Sequence, residues 1–263
     1  MKIKLYLITY KNDFELNKTL LSLQKSDIHN YDYQITIVNN YHIQPVILDP
    51  EFTLRHKIIN NQTRPAFSTG HIARNWNECL MDAFVDVYIP ETDIAVLCQN
   101  DVDFLPDTFS NLERFHGQYS FITNGAGDAL HSYTIDAVRA VGLWDERFCN
   151  IGYQESDYFL RQKLYNPHSS INDPVHDNRM HNQIDVQLID PNRAWGHCRG
   201  DEAHVSSLKY HIISANVFIQ KWGIDAATAV CWNADNKMLL PQYIQYPYFE
   251  TDLLDSARKN YAN

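Results

Sequence analysis

Apolar runs of strand length alternate with stretches of helical spacing through the first half of the chain, and that alternation restricts the fold more than any other feature. From Lys2 to Tyr10, Ile3, Leu5 and Leu7 alternate with Lys4 and Tyr6 before Ile8, as in a strand near a sheet centre. Asp13 is placed to cap a helix whose Leu16, Leu20 and Leu23 recur at spacings of four and three. Tyr33 to Val38 reads as a second strand ending at Asn39-Asn40, and His56 to Ile59 as a weaker third. Thr69 to Phe84 sets Ile72, Trp76, Leu80 and Ala83 on one helical stripe, leaving Arg74 and Asn75 off it. Ile94 to Cys98 is a near-continuous apolar run, the pattern of a strand covered on both faces. Pro106 suits the first turn of a helix carrying Phe109, Leu112 and Phe115, and Tyr119 to Thr123 reads as a strand before the Asn124–Gly127 loop. Such an order predicts right-handed parallel crossovers and an α/β fold with a mostly parallel central sheet flanked by helices.

Beyond Leu164 the character changes. Residues 165 to 206 are polar, His-rich and weakly periodic, as in a long loop or lid. From Ser207 a stripe of Leu208, Ile212, Ala215 and Ile219 predicts a last helix that stops before Gly223. With 263 residues, 44% of them hydrophobic, one continuous domain is expected over 1–263, residues 1–105 forming one half and 106–263 the other.

Charge narrows the function classes. The formal net charge of -10 repels a phosphate polymer, so no nucleic-acid partner is expected, whereas a small nucleotide can bind if divalent metal neutralises its phosphates. Cys79, Cys98, Cys149, Cys198 and Cys231 are odd in number and form no C-x-x-C pair, which points to reduced thiols in a cytoplasmic protein. No apolar run is long enough for a transmembrane segment, which leaves peripheral membrane contact as the one membrane role compatible with the text. Oligomeric state is not legible.

Two acidic clusters carry the chemistry. Asp101-Val102-Asp103 follows the buried-strand pattern, where an unpaired carboxylate is costly unless it meets a cation or water; Mg²⁺ or Mn²⁺ suits such hard oxygen donors. Glu155-Ser156-Asp157 follows a Gly-Tyr turn at 152 and 153. Trp76, Trp144 and Trp222 read as packing residues, while Trp195, in an irregular stretch, suits either a sugar platform or burial under a loop.

At these residues the chain resembles the GT-A nucleotide-sugar glycosyltransferases, specifically the family 2 group of inverting enzymes. LITYKND is similar to that family's first-strand end, TIVNN to its second, TGHIARNWNECL to its Ala-Arg-Asn helix and LCQNDVDFLPD to its Asp-x-Asp region. The most specific likeness is AVGLWDERFCNIGYQESDYFLR, residues 140 to 161. The resemblance implies a GT-A fold whose 1–105 half binds nucleotide and whose 106–263 half binds acceptor. It implies Thr9 and Tyr10 at the nucleobase, Asn39 at base or ribose, and Arg74 near the diphosphate. Asn100 and Asp101 would lie at the donor, with Asp101 and Asp103 as metal ligands. Aligning Gln99-Asn100-Asp101 with Asp-x-Asp instead leaves only Asp101 acidic. His204, in preference to His197, would be a third ligand. Where the family has Glu-Asp this chain has Gln154-Glu155, so the base position falls on Glu155, with Asp157 as the alternative or a sugar-binding group.

The function so implied is metal-dependent, inverting transfer of a hexose or deoxyhexose. It passes from a nucleoside diphosphate sugar to a hydroxyl of a glycan or glycoconjugate, with Mn²⁺ or Mg²⁺ as cofactor. A nucleotidyltransferase is the rival enzyme reading, although no basic Gly-rich phosphate loop follows the first strand. A non-catalytic sugar- or nucleotide-binding protein is the rival outside enzymes.

Overall fold

The first strand, β1 (Lys2–Thr9), is buried along nearly its whole length, as its apolar alternation requires. A computed structural model describes residues 1–61, 72–124, 129–148, 153–166, 168–172, 188–189 and 212–221. The other strands are β2 (Asp32–Asn39), β3 (His56–Asn60), β4 (Ile94–Gln99), β5 (Phe121–Asn124), β6 (Leu130–Tyr133) and β7 (Ser169–Asn172). They form one seven-stranded sheet in the order β3-β2-β1-β4-β6-β5-β7. Pairing is parallel from β3 to β4 and again between β5 and β7, while β6 runs antiparallel to both its neighbours. The expected mostly parallel α/β sheet is therefore present, and β6 makes it mixed.

Helices cover both faces, which is why β1 and β4 carry apolar residues on each side. On one face, α1 (Asp13–Gln24) and α3 (Thr108–His116) bring Leu16, Leu20, Phe109 and Leu112 against Leu5 and Val96. On the other, α2 (Ile72–Phe84), α4 (Ile135–Val141) and α5 (Tyr153–Tyr165) bring Trp76, Leu80, Val138 and Phe159 against Leu97 and Tyr133. A sixth helix, α6, spans 212–221. Trp76 and Trp144 are core residues, as expected. Trp222 lies outside the described residues. No helix among the described residues is long and apolar enough to cross a membrane.

Several local expectations are corrected. The cap of α1 is Asn12, whose side chain accepts from Glu15 N at 3.2 Å, because the Asp13 carboxylate instead accepts from Ile47 N at 3.1 Å. Pro106 precedes the cap residue Asp107 and so lies outside α3. Tyr119 and Ser120 precede β5, and β7 occupies part of the stretch read as an irregular loop. In α6 the buried positions are Ser214, Phe218 and Lys221, while Ile212, Ile213 and Ile219 are exposed, so the apolar stripe is not the face that packs.

A polar clamp fastens α2 to the start of the sheet. Tyr6 Oη donates to Asp82 Oδ2 at 2.6 Å, Lys57 pairs with the same oxygen at 3.3 Å, and buried Lys4 Nζ donates to Asp82 O at 2.7 Å. Burial and the Asp82 charge together raise the Tyr6 phenol well above its ordinary range. Burial opposes the Asp82 charge, but Tyr6 and Lys57 outweigh it and lower that carboxyl. Tyr6→Phe is expected to cost about 1.5 kcal/mol, the low end for a hydrogen bond to a charged group because Asp82 remains partly solvated. Urea denaturation at neutral pH measures it, and an unchanged midpoint would show the bond to be worth nothing net.

Candidate active site

Parallel registry brings the carboxyl ends of β1, β2 and β4 to one edge, with Thr9 beside Asn39 and Ile8 beside Gln99. In open α/β sheets that edge is where ligands bind. Here it is tied together by side chains. Asn100 Nδ2 donates to Thr9 Oγ1 at 3.0 Å and to Asn12 O at 3.2 Å, joining the loop after β4 to the loop after β1. Thr19 of α1 donates from Oγ1 to Asn100 O at 3.0 Å and Val102 O at 2.8 Å. Between those two anchored carbonyls sits Asp101, only 2% exposed, while Asp103 is half-buried.

Asn39 is a structural member of the same edge. Its amide donates to Gln44 O at 2.8 Å and Asn60 Oδ1 at 3.0 Å, and its Oδ1 accepts from Tyr41 N at 2.9 Å. Thr9, Asn39 and Asn100 thus shape the edge through buried bonds. Tyr10 is different. Its half-buried ring meets Tyr41 edge-on at 5.4 Å between centroids, and Lys11 Nζ lies 4.5 Å from the Tyr41 centroid. Two rings and a cation at a strand end form a surface on which a planar, electron-poor ring can stack.

Arg74, at the start of α2, pairs with Glu146 through Nε at 3.0 Å, both side chains being exposed. Asn77 fixes the turn that carries Glu146: its Nδ2 donates to Trp144 O at 2.9 Å and Glu146 Oε1 at 3.0 Å, and its Oδ1 accepts from Trp144 N at 2.7 Å. An exposed ion pair is worth at most about 1 kcal/mol, so Arg74 can exchange Glu146 for a ligand anion at little cost.

The position of Glu155 follows from chain direction. The turn after α5 is fixed at the start of β5, where Ser120 N donates to His168 O at 2.7 Å and Asn166 Nδ2 donates to Ser120 Oγ at 2.8 Å. About two turns back, Tyr158 and Phe159 pack against Phe121, and Phe159 reaches His131. The 13 residues of α5 extend roughly 20 Å at 1.5 Å per residue, so the helix starts at the opposite edge of the sheet. Because β4 and β5 are both antiparallel to β6, that edge is the one where β4 ends, two residues before Asp101. Glu155, in the first turn of α5 and 2% exposed, lies where the positive end of a helix dipole favours a carboxylate.

Asp157 has a different environment. It is fully buried, with Oδ2 3.0 Å from Arg161 Nε and Oδ1 2.7 Å from Lys221 Nζ. Lys221 also reaches Asp145 Oδ2 at 2.8 Å, and the Arg147 guanidinium meets the same carboxylate at 2.6 Å. Burial opposes the Asp145 charge, yet Arg147 and Lys221 hold its carboxyl well below the usual range.

No family model matches the sequence, and no curated protein matches it. Solved structures do match it in shape. S. aureus TarS 1-349 in complex with UDP-GlcNAc superposes with a TM-score of 0.51 at 11% identity, covering 94% of this chain and 73% of that one. The fold is the GT-A glycosyltransferase fold. A mannosyltransferase from Pyrobaculum calidifontis, in complex with GDP-Man and Mn²⁺, gives 0.42 at 11% identity over 99% of this chain and 85% of its own. Against a longer S. aureus TarS structure, TM-score 0.41 at 11% identity, 61% of this chain is covered and the chain spans 34% of that length.

Within this GT-A fold, Thr9, Tyr10, Asn39, Asn100, Asp101 and Asp103 lie at or just beyond the carboxyl ends of β1, β2 and β4, and the direction of α5 carries Glu155 toward that edge. His204, His197 and Trp195 lie outside the described residues. Among the described residues no group of three or more His, Cys, Asp or Glu is gathered as a metal centre. The sequence reading missed the asparagine bridge, in which Asn61 Nδ2 donates to Asn40 Oδ1 at 3.1 Å and Asn75 Oδ1 at 2.9 Å, and it missed Lys221. Only the four-residue spacing of Asp157 and Arg161 offered a local signal.

Proposed function

We propose that the chain is an inverting glycosyltransferase that moves a hexose or deoxyhexose from a nucleoside diphosphate sugar to a hydroxyl of a glycan or glycoconjugate. What supports this most directly is the course of a GT-A sheet whose β4 leads into buried Asp101 and whose following half carries Glu155, at the start of α5, toward the same edge. Glu155 is assigned the base because the resemblance puts the base position there, and Asp157 is held between Arg161 and Lys221. As the acceptor oxygen bonds to the anomeric carbon, Glu155 takes the hydroxyl proton and the bond from that carbon to the diphosphate oxygen breaks, which inverts the centre. Tyr10 with Tyr41 would receive the nucleobase and Arg74 the diphosphate.

The donor set suits a divalent cation. Asp101 sets a carboxylate in a buried position at a strand end, where a hard cation offsets desolvation, and Asp103 adds a second oxygen donor. Mg²⁺ or Mn²⁺ would be held by these two residues, with His204 as the third ligand the resemblance implies, and would supply charge neutralisation for the diphosphate.

The test is incubation with labelled nucleotide sugars, with and without Mn²⁺, following nucleoside diphosphate release and label transfer to glycan. Metal-dependent transfer is expected. Release of pyrophosphate from a nucleoside triphosphate would instead make it a nucleotidyltransferase, and nucleotide affinity with no turnover of any donor would make it a binding protein. In a thermal-shift screen of UDP, GDP and dTDP, the matching diphosphate with Mn²⁺ should stabilise by about 2.7 kcal/mol at roughly a hundredfold excess over Kd. Asp101→Asn is expected to remove the Mn²⁺-dependent part of that shift. Its survival at full size would take the metal away from Asp101.

A further inference from the structure

We propose that Lys221, on the last described helix, is a positioning residue for the transfer: it locks the first turn of α5 so that Glu155 is aimed at the acceptor. The inference rests on Glu155 being the base. Lys221 is fully buried, and its ammonium bridges Asp157 Oδ1 at 2.7 Å and Asp145 Oδ2 at 2.8 Å. Burial, with the Arg161 charge adding to it, lowers its pKa, and Asp157 and Asp145 offset only part of that.

Docking of α6 does not need this charge. Phe218, one turn earlier on the same helix, already packs its ring 6.2 Å from Phe148 and 5.8 Å from Tyr153, measured between centroids. A buried ion pair is seldom better for stability than well-packed apolar side chains, so its presence beside such an anchor points to geometry. What the ammonium adds is direction. Asp157 is gripped on one oxygen by Lys221 and on the other by Arg161, and Arg161 Nη1 in turn donates to Val141 O at 2.8 Å and Leu143 O at 2.9 Å. Two residues before Asp157 on the same turn is Glu155, so fixing the rotation of Asp157 fixes the rotation of Glu155. Asp145 extends the lock to the turn that carries Glu146 and, through it, Arg74.

The experiment uses the full chain and compares Lys221→Met, Glu155→Gln and the double variant in melting temperature, kcat and donor KM. Lys221→Met is expected to lower kcat about 100-fold, the scale of a misplaced catalytic group, with donor KM within about twofold of wild type. In the Glu155→Gln background the same change should cost nothing further, because no base remains to be aimed. A purely structural lysine would give losses that multiply, or a loss carried by KM. Either result, or an unchanged kcat in Lys221→Met, overturns the proposal. If Lys221→Met does not fold, Lys221→Gln, which is shorter and uncharged and so loses the ammonium bridge while remaining polar, is judged by the same criteria. Wild-type transfer by Glu155→Gln would instead overturn the base assignment itself.

Discussion

Glu155→Gln is expected to lower transfer by roughly 100- to 10,000-fold, the range for loss of a general base, while the melting temperature changes little. Glutamine keeps the shape of the side chain and removes the lone pair that takes the acceptor proton. The contrast is Asp157→Asn. That variant leaves the buried Arg161 guanidinium and half of the Lys221 bridge uncompensated, a defect worth about 3–5 kcal/mol of stability. The two neighbouring acids should therefore separate, one giving a folded, slow enzyme and the other a destabilised chain. Initial rates with labelled donor and thermal unfolding of both variants measure this. A folded Glu155→Gln enzyme with undiminished rate would exclude Glu155 as the base.

Acidification should destabilise the fold well before ordinary carboxylates titrate, and His131 is the main reason. Trp144 Nε1 donates to Tyr133 Oη at 3.1 Å, and that phenol is hydrogen-bonded to Nδ1 of the His131 ring at 3.0 Å. Trp76 at 4.9 Å and Trp144 at 5.2 Å between centroids enclose it, and this burial lowers its pKa to about 3. Between pH 6.5 and 3 the unfolded chain binds a proton on this residue that the folded chain refuses. Stability is therefore full above pH 6.5 and falls by about 1.4 kcal/mol per pH unit below it. His116, lowered by burial to about 4, adds to the same trend. Urea midpoints at pH 7 and pH 5 should show a drop that shrinks by about 2 kcal/mol in His131→Leu, the linkage over the interval below pH 6.5. An equal drop in both proteins would mean that His131 is not buried as a neutral ring.

Legibility varied with how local the determining physics was. β1 and β4 could be read because a strand covered on both faces must be apolar, and α2 because Trp76 and Leu80 repeat at helical spacing. β6 and β7 have four residues each, too few for a period to show. α5 was missed because its polar residues are buried: Gln154, Glu155, Asp157 and Gln162 are all inside, which erases the contrast between a wet and a dry face. α6 misled for the related reason that its packed face includes a lysine while three isoleucines point outward.

Hydrophobic periodicity, a property of neighbouring residues, determined that this chain forms a covered, mostly parallel sheet with Asp101 at the exit of a buried strand. The resemblance in residues 140 to 161 marked out two acids, with the base position on Glu155 and Asp157 as the alternative. Only the tertiary structure showed what surrounds Asp157, because Coulomb energy in a buried site depends on distance through space. Lys221, remote along the chain, lies 2.7 Å from Asp157, and that contact makes Asp157 part of a buried ion cluster, which no local pattern announces.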